Sequence, residues 1–130
     1  LLVPRATVMP VFRRLTDQYR FFADRFPECV LFFQIGCFYE FFAEQAARAS
    51  RLLGLRPLTA GRGFQVRCGL SLQLGPWCAR TLVARGIPVV EIRETEDRAW
   101  LGGVKPRALA AFWQPVAGEA IGLNGQWRTS

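Results

Sequence analysis

Residues 29–42 read "CVLFFQI", then Gly36-Cys37, then "FYEFF". The first run is short, β-branched and aromatic, the composition of a central strand. Gly36-Cys37 is a turn signal, and "FYEFF" makes a second extended segment paired with the first. Such a hairpin excludes a purely parallel sheet. Glu40 is out of place in it, because desolvating a carboxylate without a partner is costly. Either Glu40 reaches the surface or it has a task.

The flanking chain supplies helices and further strands. Pro10 suits a first helical turn, where its missing N–H costs nothing. Phe12, Leu15, Tyr19, Phe22 and Phe26 then recur at steps of three and four, one apolar stripe that predicts a helix ended by Pro27. Residues 43–53 read as a helix with Ala46, Ala49 and Leu53 inward and Gly54 as its stop. Two short strands follow around residues 55–59 and 65–71, joined by a flexible, basic "AGRG". Gly75-Pro76 opens a helix running to Arg85. Residues 87–94 form a strand, 96–107 a polar loop and 108–116 a last strand, which Pro115 places near an edge or end. Helices interspersed with strands predict an α/β fold with a mixed β-sheet flanked by helices, in a single domain. Residues 1–9, which open on a linker-like "LLVPR", are set apart as an arm or linker remnant. The domain is expected over 10–118, with a tail over 119–130.

At 130 residues, 51% hydrophobic and 21% charged, the chain has the composition of a globular domain and not of a disordered segment. Its net charge is +7, and of its 17 basic residues all but Lys105 are arginine. The guanidinium is a rigid donor fork suited to phosphate and able to stack on bases, so the charge points to nucleic acid before an anionic membrane surface. Cys29, Cys37, Cys68 and Cys78 form no CxxC pair, and the chain has no histidine. That excludes a mixed cysteine–histidine zinc site and points to mostly buried free thiols in a reducing, cytoplasmic compartment. No stretch has the length of a membrane span, and no cofactor is expected.

Alternate residues of an extended segment leave opposite faces. Phe38 and Glu40 therefore point together and Tyr39 and Phe41 the other way. If the latter pair faces the core, an aromatic ring stands beside a carboxylate on the opposite face, just after a glycine turn. In this setting "GCFYEFF", preceded by "PECVLFFQI" and followed by "AEQAARASRLLGLRPLTAGRG", resembles the N-terminal mismatch-recognition domain of the MutS family. The similarity continues through "CGLSLQLGPWCARTLVARGIPVVEIRE" and "RALAAFWQPVAG", and covers about residues 10–118.

The resemblance implies a non-enzymatic module for double-stranded DNA carrying mismatches or small loops, with other mismatch-repair or MutS-type domains as further partners. It gives Phe38 the role of a minor-groove wedge that stacks on a mispaired or unpaired base, and Glu40 that of a hydrogen-bonding partner to that base. An apolar wedge costs a few kcal/mol of unstacking, and less where pairing is already defective. Arg62, at the family's basic strand end, and Arg107 are the expected phosphate contacts, with Arg56 and Arg67 behind them. The chain departs from the family at Cys37, where an Asp is usual, at Gln34, and at residues 68–74, which lack the family's Pro, Tyr and His. It contains no GxxxxGK[ST] loop, so no ATPase is expected of it. Two other classes remain. One is a free-standing relative acting as an adaptor that uses the aromatic face, or as a binder of another nucleic-acid shape. The other is a metal-dependent nuclease built on Glu40, Glu44, Glu91, Glu94, Glu96 and Asp97, for which no acid–base spacing is present.

Overall fold

A computed structural model describes residues 10–61, 64–95, 103–115, 120–121 and 127–128. Strands β1 (Val30–Ile35) and β2 (Phe38–Phe42) form the expected antiparallel hairpin, with Ile35 opposite Phe38 and Phe33 opposite Glu40. Strands β3 (Leu58–Gly61), β4 (Phe64–Ser71), β5 (Val89–Glu94) and β6 (Arg107–Trp113) complete a six-stranded sheet in the order β3-β4-β2-β1-β5-β6. β1 and β5 run parallel and the other neighbours antiparallel. The sheet is therefore mixed, and β6 lies at its edge as Pro115 suggests.

Helix α2 (Ala43–Leu53) has the predicted bounds, and Gly54 closes it in the left-handed conformation at φ 69°. Ala43 itself takes φ 53°, so the chain passes from β2 into α2 without a connecting loop. Helix α3 (Gly75–Ala84) follows a 3₁₀ turn over Leu72–Leu74. Both helices cover one face of the sheet, where Val30, Phe32, Tyr39, Phe41, Cys68 and Leu70 pack against Ala46, Ala49, Ala79 and Leu82. Helix α1 (Leu15–Arg25) covers the other face, with Tyr19 and Phe22 against Leu31, Phe33, Phe42, Val90 and Ile92. Among the described residues, no member of β3 or β4 joins that second cluster. The α1 layer thus stops short of one side of the sheet.

Several boundaries differ from expectation; β5 starts at Val89 and not at 87, and β6 ends at Trp113 and not at 116. The first helix starts at Leu15 and not near Pro10; in the segment before it, the Phe12 carbonyl accepts the Val104 N–H at 3.2 Å. Phe12 still packs its ring 5.3 Å from Phe21. β3 begins at Leu58, after Pro57, which has no N–H for the ladder. Ala60 and Gly61 of the "AGRG" connection belong to this strand. Lastly, residues 120–121 and 127–128 pair as a small antiparallel ladder.

Candidate nucleic-acid interface

Phe38 opens β2 and is 51% exposed, whereas the next four residues of the strand are buried. Strand alternation places it on the α1 side with Glu40 and Phe42. Phe42 lies fully under α1, its N–H donating to the Tyr19 hydroxyl. Phe38, at the other end of the strand, projects beyond that cover. The expected pairing of an exposed ring with a carboxylate on the same face is present, with one correction. Glu40 is not exposed as a strand-end charge would be: it is 6% accessible.

Its surroundings explain how a carboxylate tolerates that position. Directly across the ladder is Gly69, which puts no side chain beside it. A Cβ there would lie 3.0 Å from the Tyr39 carbonyl oxygen and 3.6 Å from the Glu40 Cγ. Two pairs further along, on the same face, Arg67 sits opposite Phe42 and brings its Nη1 to 3.6 Å from the Glu40 Oε1. An adjacent guanidinium is what a carboxylate drawn out of water requires. Ser71, opposite Phe38, and the exposed Leu58, opposite Arg67, complete the open strip.

The turn that presents Phe38 is held from both flanks. Gly36 takes φ 61°, and its N–H donates to the Glu94 Oε2 at 2.9 Å. The Gln34 amide donates to the Gly36 carbonyl at 3.0 Å and accepts the Glu94 N–H at 2.9 Å. On the other flank the Leu72 N–H donates to the Cys37 carbonyl at 3.0 Å. Behind the turn, Arg107 donates from Nε to the Gln34 carbonyl (2.7 Å), from Nη1 to the Gln18 Oε1 (2.8 Å) and from Nη2 to the Glu94 Oε2 (3.2 Å). Its guanidinium also lies over the Phe33 ring, 4.8 Å from the centroid.

This geometry revises the expected arginines. Arg107 does not serve as a surface phosphate contact: it is 6% exposed and its donors are spent inside the protein. Arg67 lies at the site. Arg56 is exposed in the connection before β3, beyond the Arg67 end of the ladder. Arg62 lies outside the described residues. Among the described residues, the carboxylates considered for metal do not converge. Glu91 accepts from the Tyr39 hydroxyl and the Trp113 indole on the α2/α3 face. Glu94 is occupied by Lys105, Arg107 and the turn, and Glu96 and Asp97 lie outside the described residues. No cluster of three metal-ligating side chains occurs among the described residues. Nor does any described helix have the length and apolarity to cross a membrane.

The family described as MutS domain I matches residues 13–115, a span holding the whole six-stranded sheet and the strip around Phe38. The chain belongs to the MutS domain I family. It is 34% identical to the DNA mismatch repair protein MutS of Aquifex pyrophilus over 69% of its own length and 11% of that protein. It is 31% identical to the protein of the same name from Ruminiclostridium cellulolyticum, over 78% of this chain and 12% of the relative. With the Lysinibacillus sphaericus protein it shares 29% over 82% of the chain and 13% of the relative. The chain thus spans only about a tenth of these curated relatives.

As a MutS domain I chain, it carries parts of the site that its sequence does not announce. In the sequence Gln34 stands out only as a departure from the family pattern, and Glu94 only among the carboxylates considered for metal. Together they brace the turn, through contacts spanning 58 to 60 residues of sequence. The glycine in "VRCGL" was the one available hint of the clearing beside Glu40, since an isolated strand glycine marks a close approach.

Proposed function

We propose that this chain is a non-enzymatic module that reads damaged or mispaired double-stranded DNA by shape and deformability. Phe38 is the wedge, Glu40 the hydrogen-bond partner of the disturbed base, and Arg67, Arg56 and Arg62 the phosphate contacts. The observation that carries this reading is the half-exposed Phe38 ring at a turn braced on both flanks, with Glu40 beside it on the same face. A rigid mount suits a wedge, because geometry left loose would spend binding energy on ordering the protein. Discrimination follows from the duplex: a step with defective pairing yields to the ring at smaller cost than an intact one. The net charge of +7 supplies attraction that does not depend on sequence.

The curated relatives named DNA mismatch repair protein MutS agree with this reading, and their much greater length makes other MutS-type domains candidate partners. The test is binding of matched, mismatched and single-base-bulge duplexes at two salt concentrations, with wild type and Phe38→Ala. The expected result is a preference for defective duplexes that Phe38→Ala removes; a preference that survives the substitution overturns the wedge. A second reading, as an adaptor for protein, draws on the exposed Leu74 and Trp77 at the start of α3. Capture of a protein partner without DNA binding would favour it.

A further inference from the structure

Three residues around the Phe38 turn close a hydrogen-bonded ring. Gly36 engages both of its backbone groups: its N–H donates to the Glu94 Oε2 at 2.9 Å, and its carbonyl accepts from the Gln34 Nε2 at 3.0 Å. The Glu94 N–H then donates to the Gln34 Oε1 at 2.9 Å, which completes the ring. The last register pair between β1 and β5 is Phe33 with Ile92. Past that point the Gln34 side chain takes over from the backbone ladder, and it does so where the turn begins. One planar amide donates and accepts at once, which neither an ionised carboxylate nor a cationic side chain does. The Gln34 backbone is fixed separately, since its carbonyl accepts the Arg107 Nε at 2.7 Å. The amide is therefore not what keeps β1 in the sheet.

We propose that Gln34 is a specificity-determining positioning residue: its amide ties Gly36 into the left-handed conformation that aims the Phe38 ring, and so widens the gap between defective and intact duplex. The inference rests on the DNA-reading role proposed above and names a residue that sets its selectivity. Gly36, at φ 61°, lies two residues before Phe38. A glycine populates many backbone conformations, so one left untied lets the hairpin tip sway. A ring held still meets every base step in one pose. An intact step must unstack to admit it, whereas a defective step yields. With the amide gone, the ring swings aside on an intact duplex and has to be ordered anew on a defective one. The first change relieves the penalty on matched DNA and the second weakens binding to defective DNA. The preference shrinks from both ends.

Matched and single-base-bulge duplexes are titrated at one salt concentration with wild type, Gln34→Met, Gln34→Glu, Phe38→Ala and the double variant Gln34→Met with Phe38→Ala, each verified as folded by thermal melting. Gln34→Met keeps the length of the side chain and removes both bonds. Gln34→Glu still accepts the Glu94 N–H but has no donor for Gly36. Each is expected to reduce the bulge-over-matched preference about five-fold, the scale of ordering one group at an interface. In the Phe38→Ala background, Gln34→Met is expected to leave both affinities unchanged, because the residue it positions is gone. An undiminished preference in Gln34→Met or Gln34→Glu overturns the proposal. So does an effect of Gln34→Met that persists without Phe38, which would mark a general loss of structure or a direct contact with DNA. If Phe38→Ala removes the preference while the Gln34 variants keep it, only the positioning role falls. If wild type shows no preference, the DNA-reading role falls and takes the positioning role with it.

Discussion

The two faces of strand β2 carry the same kinds of residue and put them to opposite use. On the α2/α3 face, Tyr39 and Phe41 are sealed, and a carboxylate of β5, Glu91, accepts from both the Tyr39 hydroxyl and the Trp113 indole. On the α1 face, Phe38 is half exposed and Glu40 is buried with the Arg67 guanidinium 3.6 Å away. Hydrophobicity does not separate Phe38 from Phe41, since they are the same residue three positions apart. The reach of the covering helices does. Two helices blanket one side, whereas α1 stops before β4 and leaves a strip on the other.

The contrast can be broken first at Phe41. Phe41→Ala should cost about 3–5 kcal/mol of stability in urea unfolding, the usual toll of emptying a buried aromatic site. A loss below about 1 kcal/mol would mean the α2/α3 face is not the packed one. Next in size is Arg107→Ala. It removes the donor that the Gln18 Oε1 and the Gln34 carbonyl accept from and one of the partners of Glu94, and loosens the Phe38 turn, with an expected loss of about 3 kcal/mol. Were Arg107 a surface contact, the same change would move stability by no more than about 0.5 kcal/mol.

The alkaline limb gives a smaller effect that both faces share. Burial pushes the phenols of Tyr19 and Tyr39 up from their ordinary 10.0, with the Glu91 carboxylate adding to the shift at Tyr39. Burial likewise raises the thiols of Cys29, Cys68 and Cys78 from 9.0. The folded chain therefore holds these protons after the unfolded chain has released them, and stability must fall as pH rises. Melting temperature should be flat from neutrality to about pH 8 and decline above it, as the thiols and then the phenols ionise in the unfolded chain. A melting temperature that stays level to pH 11 would contradict the burial of these groups. The smallest expected change is Phe38→Ala, within about 0.5 kcal/mol of wild-type stability. Against the Phe41 result, it would show that the exposed ring is kept for something other than folding.

Much of this arrangement is readable in the sequence, and what is not shares a cause. The β1–β2 hairpin, the bounds of α2 and the common face of Phe38 and Glu40 all follow from local periodicity, which needs only neighbours a few residues away. Three features depend on distant partners. The parallel pairing of β1 with β5 brings Glu94 to Gly36 across 58 residues. Arg107 reads as a surface charge because arginines mostly are, and only α1, β1 and the end of β5 turn it into an internal tie. The enclosure of Glu40 depends on Arg67 in a strand whose register no local pattern sets.

The clamp around Gly36 and Cys37 has a mechanical consequence. Its anchors come from α1, β1, β5, β6 and the segment after β4, so the hairpin tip is joined to nearly the whole fold. A force pressing on the Phe38 ring is shared by the entire slab of secondary structure instead of being absorbed by a bending loop. Whatever polymer meets that ring has to do the yielding.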